Sequence, residues 1–296
     1  MNQVTLAIGF GLVTASIIAL GAVGFTLQFG ITNIFNLAYG NVMTVAAYIA
    51  YLVSVRGGVP IWLGLAAGGI CGAVLSVALN RFVYGPFLRR GTSQFAMVMV
   101  TLAVATIVVN VVQMIAGTGY FGYTVVYGSS FRFLGMNLTT RQLAIIGIAV
   151  ATLLALHCIL RYTRAGKAMR ATSADPALAR SCGIATGVVT DLAWLLSGVL
   201  CGLAGVALAM NTVIFNPSLG NSFLLVIVAA AVLGSAGAIY GAMVGSLVVG
   251  IGSELAAIVD PALKDVAAFA ILVLVLLLRP DGVFGRPSRQ AAEGGA

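Results

Sequence analysis

The sequence predicts an all-α polytopic membrane protein of about eight or nine membrane segments, with one of them broken or re-entrant and rich in glycine. Three observations predict it. Hydrophobic residues make up 61% of the 296-residue chain and charged residues only 7%, where a soluble domain carries roughly 25% charged. Mean hydropathy is +1.11. Apolar runs of about 20 residues, the length that crosses a bilayer, recur along nearly the whole chain. The one long polar interruption is the basic island Arg161–Gly183. No linker of disordered composition divides the chain, so 1–296 is expected to form a single transmembrane domain, with the polar tail after Pro287 left over.

In chain order, spans are predicted near 5–28, 41–55, 60–80, 94–116, 142–160, 188–210 and 264–279. The apolar run 223–253 is interrupted by Gly234, Ser235 and Gly237. At about 1.5 Å per residue it is too long for one crossing helix and short for two, which predicts two half-length or re-entrant segments. The first run carries no basic n-region and is of span length, so it is expected to be retained. The loop 117–141, rich in Gly, Tyr and Phe, is expected to be an ordered external cap.

Charge sets the orientation. Arg81, Arg89 and Arg90 share one loop, five cations lie in 161–180, and Arg279, Arg286 and Arg289 close the chain, together eleven of the fifteen basic residues. Cytoplasmic loops carry the excess of Lys and Arg. The C-terminus is therefore cytoplasmic and the N-terminus outside, provided 223–253 enters and returns. The net charge of +8 follows from this asymmetry and does not imply nucleic-acid binding.

The island reads RYTRAGKAMRATSADPALARSCG and holds Arg161, Arg164, Lys167, Arg170 and Arg180. Its second half encodes a very short helix with both ends written in. Asp175 suits the N-cap, Pro176 the first helical position, and Gly183 the left-handed stop. A helix of about seven residues is not stable alone in water, so it is expected to dock, as a cytoplasmic coupling helix that receives force from a soluble motor.

Glycines spaced by four, Gly64–Gly68–Gly72, Gly198–Gly202 and Gly237–Gly241–Gly245, let helix backbones approach where lipid supplies no hydrophobic drive. Unwound backbone near Gly234, Ser235 and Gly237 is a candidate solute path, because such breaks are tolerated only where protein or water covers them. The segment 29–41 adds Asn33, Asn36, Tyr39, Gly40 and Asn41. Asn33, Asn36 and Gly40 share a stripe if the segment is helical, and their polar groups face either a solute or a neighbouring helix.

Catalysis fails on inventory. The single histidine, His157, has no acid or cysteine partner in sequence, and Gly166–Lys167 is followed by Ala168 where a phosphate-binding loop needs Ser or Thr. Cys71, Cys158, Cys182 and Cys201 lack metal-ligand spacing and are expected to be small buried hydrophobes. No acid is plainly mid-membrane, which weakens ion-coupled transport. No catalytic, metal or cofactor site is expected, and any ATP must be hydrolysed by another polypeptide.

The blocks IALGAVGFTLQFGITNIFNLAYGN, TRAGKAMRATSADPALARSCGI, AAVLGSAGAIYGAMVGSLVVGIGSE and LLLRPDGVFG together resemble LivH-type permeases, from about residue 10 to residue 286. These are membrane subunits of bacterial ATP-binding-cassette (ABC) importers for branched-chain amino acids, with relatives handling urea and short amides. The resemblance implies an inner-membrane permease partnered by two ABC ATPase subunits that use the ATP, a second permease chain (a copy or a paralogue) and a periplasmic solute-binding protein. It makes Thr163 to Gly183 the ATPase-coupling region, matching at Arg164, Gly166, Arg170, Ala171, Asp175 and Gly183. The chain departs from its relatives at Tyr39 and Asn41, where they often carry His and Glu, and at Gly234–Gly237, one glycine poorer than their GGxGS pattern. A stand-alone facilitator for a neutral solute such as urea and a membrane scaffold remain the competing readings.

Overall fold

The computed structural model describes residues 3–123, 130–133, 136–235, 237–279 and 282. Two helices form its axis. α1 (Gln3–Thr32) and α9 (Thr186–Thr212) are apolar on all sides and almost wholly buried over their inner turns. A helix apolar all round belongs inside other helices. Around them stand α2 (Tyr39–Tyr51), α3 (Ile61–Ala78), α5 (Gln94–Ala116), α6 (Thr140–Tyr162), α10 (Leu219–Leu233), α11 (Ile239–Ala256) and α12 (Leu263–Leu278). α2 continues through a π-helical turn to Arg56, and α3 through another, Leu79–Tyr84, into the short α4 (Gly85–Arg89). Two short polar helices, α7 (Arg164–Ala174) and α8 (Pro176–Ser181), lie between α6 and α9.

Helices cover all seven spans read from hydropathy, with ends within a few residues of those predicted. Among the described residues six helices are long and apolar enough to cross a membrane, and α2 and α12 are not among them. The run 223–253 does break after Gly234, but the half-length expectation holds only for α10. α11 has 18 residues, about 27 Å at 1.5 Å per residue, because it continues past the apolar run to Ala256.

Direction follows from neighbours. Along α1, Gly11 lies against Ile251, Ala15 against Gly250 and Gly30 against Gly237. α11 therefore runs antiparallel to α1, and α10 descends beside it toward the same end. That end also holds α7, α8 and the Arg81 region; the opposite end holds the α1 start and the loops after α5 and α9.

Small residues set these approaches. At Gly72 a Cβ would overlap the Gly198 carbonyl, and at Gly202 one would overlap the Gly68 carbonyl, so α3 and α9 touch backbone to backbone. Gly241 and Gly245 do the same against Gly234 and Ala230 across α10 and α11. Gly237 does not share their stripe. It precedes α11 with φ +99°, a left-handed conformation that ends helices.

At the loop end, β1 (Phe121–Gly122) pairs antiparallel with β4 (Ile214–Phe215), and β2 (Ser130–Phe133) with β3 (Met136–Thr139). The first ribbon is pinned to α2 by aromatic packing. Tyr48 lies 4.8 Å from Phe121 between ring centres, and the Tyr123 hydroxyl donates to the Ala47 carbonyl at 2.7 Å. Segments 121–123 and 213–215 thus meet against α2, while 124–129 and 134–135 of the expected cap lie outside the described residues.

Two polar expectations need correction. Cys158 and Cys182 are exposed, while Cys201 is buried and Cys71 half-buried; the exposed pair stands on the outer face of α6 and in the turn after α8. Glu254 sits deeper than its sequence position implied. It accepts from Thr14 Oγ1 at 2.7 Å, about 16 Å along α1 from Gln3. Lys264 pairs with the same carboxylate, as a buried charge requires.

Gly72→Val drives a side chain into α9 and is expected to cost on the order of 1–3 kcal/mol. Gly147→Ala meets nothing within 4 Å and should be neutral or stabilising by up to about 1 kcal/mol. Thermal unfolding of the purified protein in detergent, followed by size-exclusion chromatography, separates the two outcomes.

Candidate functional site

The island begins with one hydroxyl serving two helices. Thr163 leaves α6 with extended backbone, donates to the Ile159 carbonyl at 2.6 Å, and accepts from the Gly166 amide at 3.1 Å as the N-cap of α7. Gly166 is forced: a Cβ there would overlap the Leu160 carbonyl. Arg170 Nη1 donates to that same carbonyl at 2.7 Å. The orphaned C-terminus of α6 thereby gains a charge-assisted partner, and α7 is folded back against the helix it follows.

α7 buries Gly166, Met169 and Thr172 and exposes Arg164 and Lys167; Ala171 is half-buried. The chain turns at Asp175, whose amide reaches the Ala171 carbonyl at 3.1 Å. Its carboxylate accepts from Ala177 at 2.8 Å and Leu178 at 3.0 Å. Pro176 takes the first helical position. At the other end Gly183, with φ +81°, donates to the Arg180 carbonyl, and Ile184 to Ala179, each at 3.0 Å. This pair of bonds is the Schellman stop. α8 buries Ala179 and leaves Leu178 62% exposed beside the exposed Arg180. Capping uses up Asp175, so this face presents the Arg180 cation beside an apolar side chain.

The opposite side of α7 faces the bundle. Ser173 Oγ donates to the Gly30 carbonyl at 2.6 Å, in the last turn of α1. Between them lies a cavity of about 230 Å³, bounded by Thr26 and Gly30, by Met169, Arg170 and Ser173, and by Gly237 in the break. A Cβ on Gly30 would stand 3.4 Å from Gly237. Ser235, at φ +88°, turns the chain, and its carbonyl accepts from the Ala238 amide at 3.0 Å. Gly234 is packed on Gly241.

The second predicted group divides. Asn33 (φ 52°) donates its amide to Phe29 at 2.8 Å and ends α1, so 33–38 is not helical and the stripe through Asn33, Asn36 and Gly40 does not form. Asn36, Tyr39, Gly40 and Asn41 are buried. Asn36 Oδ1 accepts from the Ala38 amide at 3.0 Å and the Tyr84 hydroxyl at 3.1 Å. Tyr39 donates to the Gly21 carbonyl at 3.0 Å and Asn41 Nδ2 to Ala105 at 2.7 Å. A Cβ on Gly40 would overlap the Gly220 carbonyl. Asn33 and Gly237 instead lie toward the α7 end, and only Gly237 of the predicted set reaches the cavity.

Sequence reasoning passed over Ser173, Thr26 and Gly30, and the bridge in which Asp191 accepts from Arg81 Nε at 3.1 Å and Asn80 Nδ2 at 2.8 Å. The one usable signal was the spacing of Met169, Thr172 and Ser173 along α7. His157 Nδ1 meets the Tyr240 hydroxyl at 2.8 Å, across α6 and α11. Among the described residues no three His, Cys, Asp or Glu gather to hold a metal.

A helical bundle with several spans, a backbone break in one helical pair and a capped polar helix pair beneath that break is a multi-pass membrane permease in class. The chain belongs to the family described as branched-chain amino acid transport system, permease component, which matches residues 7–276. It is 32% identical to the high-affinity branched-chain amino acid transport system permease protein LivH of Salmonella typhimurium, over 94% of this chain and 94% of that protein. The corresponding protein BraD of Pseudomonas aeruginosa is 29% identical, again over 94% of each. A probable LivH of Methanocaldococcus jannaschii is 26% identical over 93% of this chain and 90% of that one.

Asp175→Ala removes the α8 cap at a cost of about 1 kcal/mol. Hydrogen exchange at Ala177 and Leu178 should quicken about fivefold, whereas Asp175→Asn, which keeps the acceptor, should leave it near the parent rate.

Proposed function

We propose that this chain is the inner-membrane permease subunit of an ATP-driven importer for branched-chain amino acids or related small polar solutes, working as one transmembrane unit. Its α7–α8 end is cytoplasmic, the C-terminus is on that side, and the N-terminus is outside. The distribution of Arg and Lys supports this orientation. Two ABC ATPase subunits use the ATP, and this chain binds no cofactor. A second permease chain completes the membrane part. A periplasmic binding protein delivers the solute by docking on the outer loops 117–141 and 211–222.

The observation that carries the reading is the doubly capped α8, joined through Asp175 to a helix bonded directly to the bundle. Thr163, Arg164, Gly166, Lys167, Arg170, Ala171, Asp175, Pro176, Arg180 and Gly183 form the coupling region. ATP-driven motion of α8 passes to α7 through the shared turn. It then passes from Ser173 to the α1 terminus at Gly30, and from there across the cavity to Gly237. The break at Gly234, Ser235 and Gly237 yields more easily than regular helix, since its backbone has already left the helical ladder. Alternating access follows from tilting α10 and α11 about it. Asn36, Tyr39, Gly40 and Asn41 serve the path by holding the wall that α2 presents.

The test is uptake by the reconstituted complex of two permease chains and two ATPase subunits, supplied with its binding protein. Gly183→Pro removes the left-handed stop, and Arg170→Glu reverses the charge that holds the α6 terminus. Each should lower ATP-dependent leucine uptake on the order of tenfold or more, the effect of 1–3 kcal/mol of lost coupling, while the chain still inserts. Undiminished uptake refutes the coupling role. Leucine or urea flux through the single chain without ATPase supports a stand-alone facilitator instead.

A further inference from the structure

The outward face of α5 differs from those of its neighbours. Between their terminal turns, the exposed faces of α3 and α11 carry no amide, hydroxyl or charged side chain among the described residues, and α6 adds only the half-exposed Thr152 to an apolar face; Ile70, Val74, Val150, Leu154, Leu247 and Val248 typify them. Such faces suit lipid. On α5, Thr106 and Asn110 are exposed and Gln113 is half-exposed. Their spacing of four and three puts them on one side of the helix. Thr106 lies twelve residues after Gln94 and ten before Ala116, so the row starts at mid-layer and runs toward the loop end.

The helix is not free to rotate this row inward. Its other face is fixed by Asn41 Nδ2 on the Ala105 carbonyl at 2.7 Å and by Thr101 Oγ1 on the Phe35 carbonyl at 3.1 Å. Nor do the side chains satisfy themselves. Thr106 donates to Leu102 at 3.0 Å and Asn110 Nδ2 to the Thr106 carbonyl at 2.7 Å, which leaves the amide oxygen and one N–H of Asn110 facing outward. Hydrocarbon offers those groups nothing, and polar side chains inside spans face water or protein.

We infer that the Thr106–Asn110–Gln113 face of α5 lines the aqueous route of a small zwitterionic solute. The inference rests on the permease reading above. Neutral donors and acceptors flanked by Ile107 and Val111 suit a solute that has a charged backbone and an apolar side chain and must not bind too tightly to leave.

The experiment uses the assembled complex with all four native cysteines replaced. ATP-dependent uptake is measured first in the complex with its native cysteines, and if it is absent there the permease reading fails; the labelling pattern in the cysteine-free parent judges the α5 assignment separately. Thr106→Cys, Asn110→Cys, Val74→Cys and Leu154→Cys are treated with a membrane-impermeant charged thiosulfonate. Only the thiolate reacts, and hydrocarbon suppresses ionisation, so 106 and 110 should label at least about tenfold faster than 74 and 154. Leucine with ATP should slow labelling at 106 and 110 alone. Equal, slow labelling at all four positions makes α5 lipid-facing and overturns the inference. Protection at 106 and 110 together with oxidative cross-linking to the second permease chain makes the face a dry subunit contact and overturns it too.

Discussion

Backbone that leaves a helix inside a bilayer must be covered by protein or water, because lipid offers its amides and carbonyls no partner. The break between α10 and α11 is where this chain meets that constraint, and much of the architecture answers it. Gly234 closes on Gly241 with no side chain between them. Gly237 rests beside Gly30 at the end of the central helix α1. α7 covers the remaining side through Ser173 and the cavity behind Arg170. The polar island thus packs beside the broken backbone through Ser173 and Gly30 as well as projecting from the bundle.

The polar residues of 33–41 answer the same constraint at the start of α2. The helix α1 stops at Thr32 and the chain must turn without exposing donors to hydrocarbon. Asn36 bonds the turn and Tyr84, Tyr39 bonds the Gly21 carbonyl, and Asn41 bonds Ala105. Each of these roles needs a neutral hydrogen-bonding group and none needs a charge.

Legibility in the sequence followed the range of the interactions. The spans could be read because each needs about 20 apolar residues regardless of its neighbours. The ends of α8 could be read because Asp175, Pro176 and Gly183 act within a few residues of themselves. What depended on distant chain was not legible. Nothing near Ser173 announces Gly30, 143 positions away. A stripe through Asn33, Asn36 and Gly40 needs a helix that Asn33 itself ends, and an asparagine at positive φ looks in sequence like any other. Glu254 ends the apolar run in sequence, yet α11 continues past it to Ala256, because Lys264 and Thr14 answer its charge in the folded chain.

The central claim is that the capped helix α8 is held by a nucleotide-driven partner on the cytoplasmic side. A photoreactive benzoylphenylalanine at Leu178, the exposed apolar residue of that helix, tests it most directly. In membranes holding the whole complex, illumination should join this chain to an ATPase subunit, with a yield that changes between nucleotide-free and ATP-trapped states. Attachment only to lipid, or reaction of the same position with a reagent confined to the periplasm, would contradict the account.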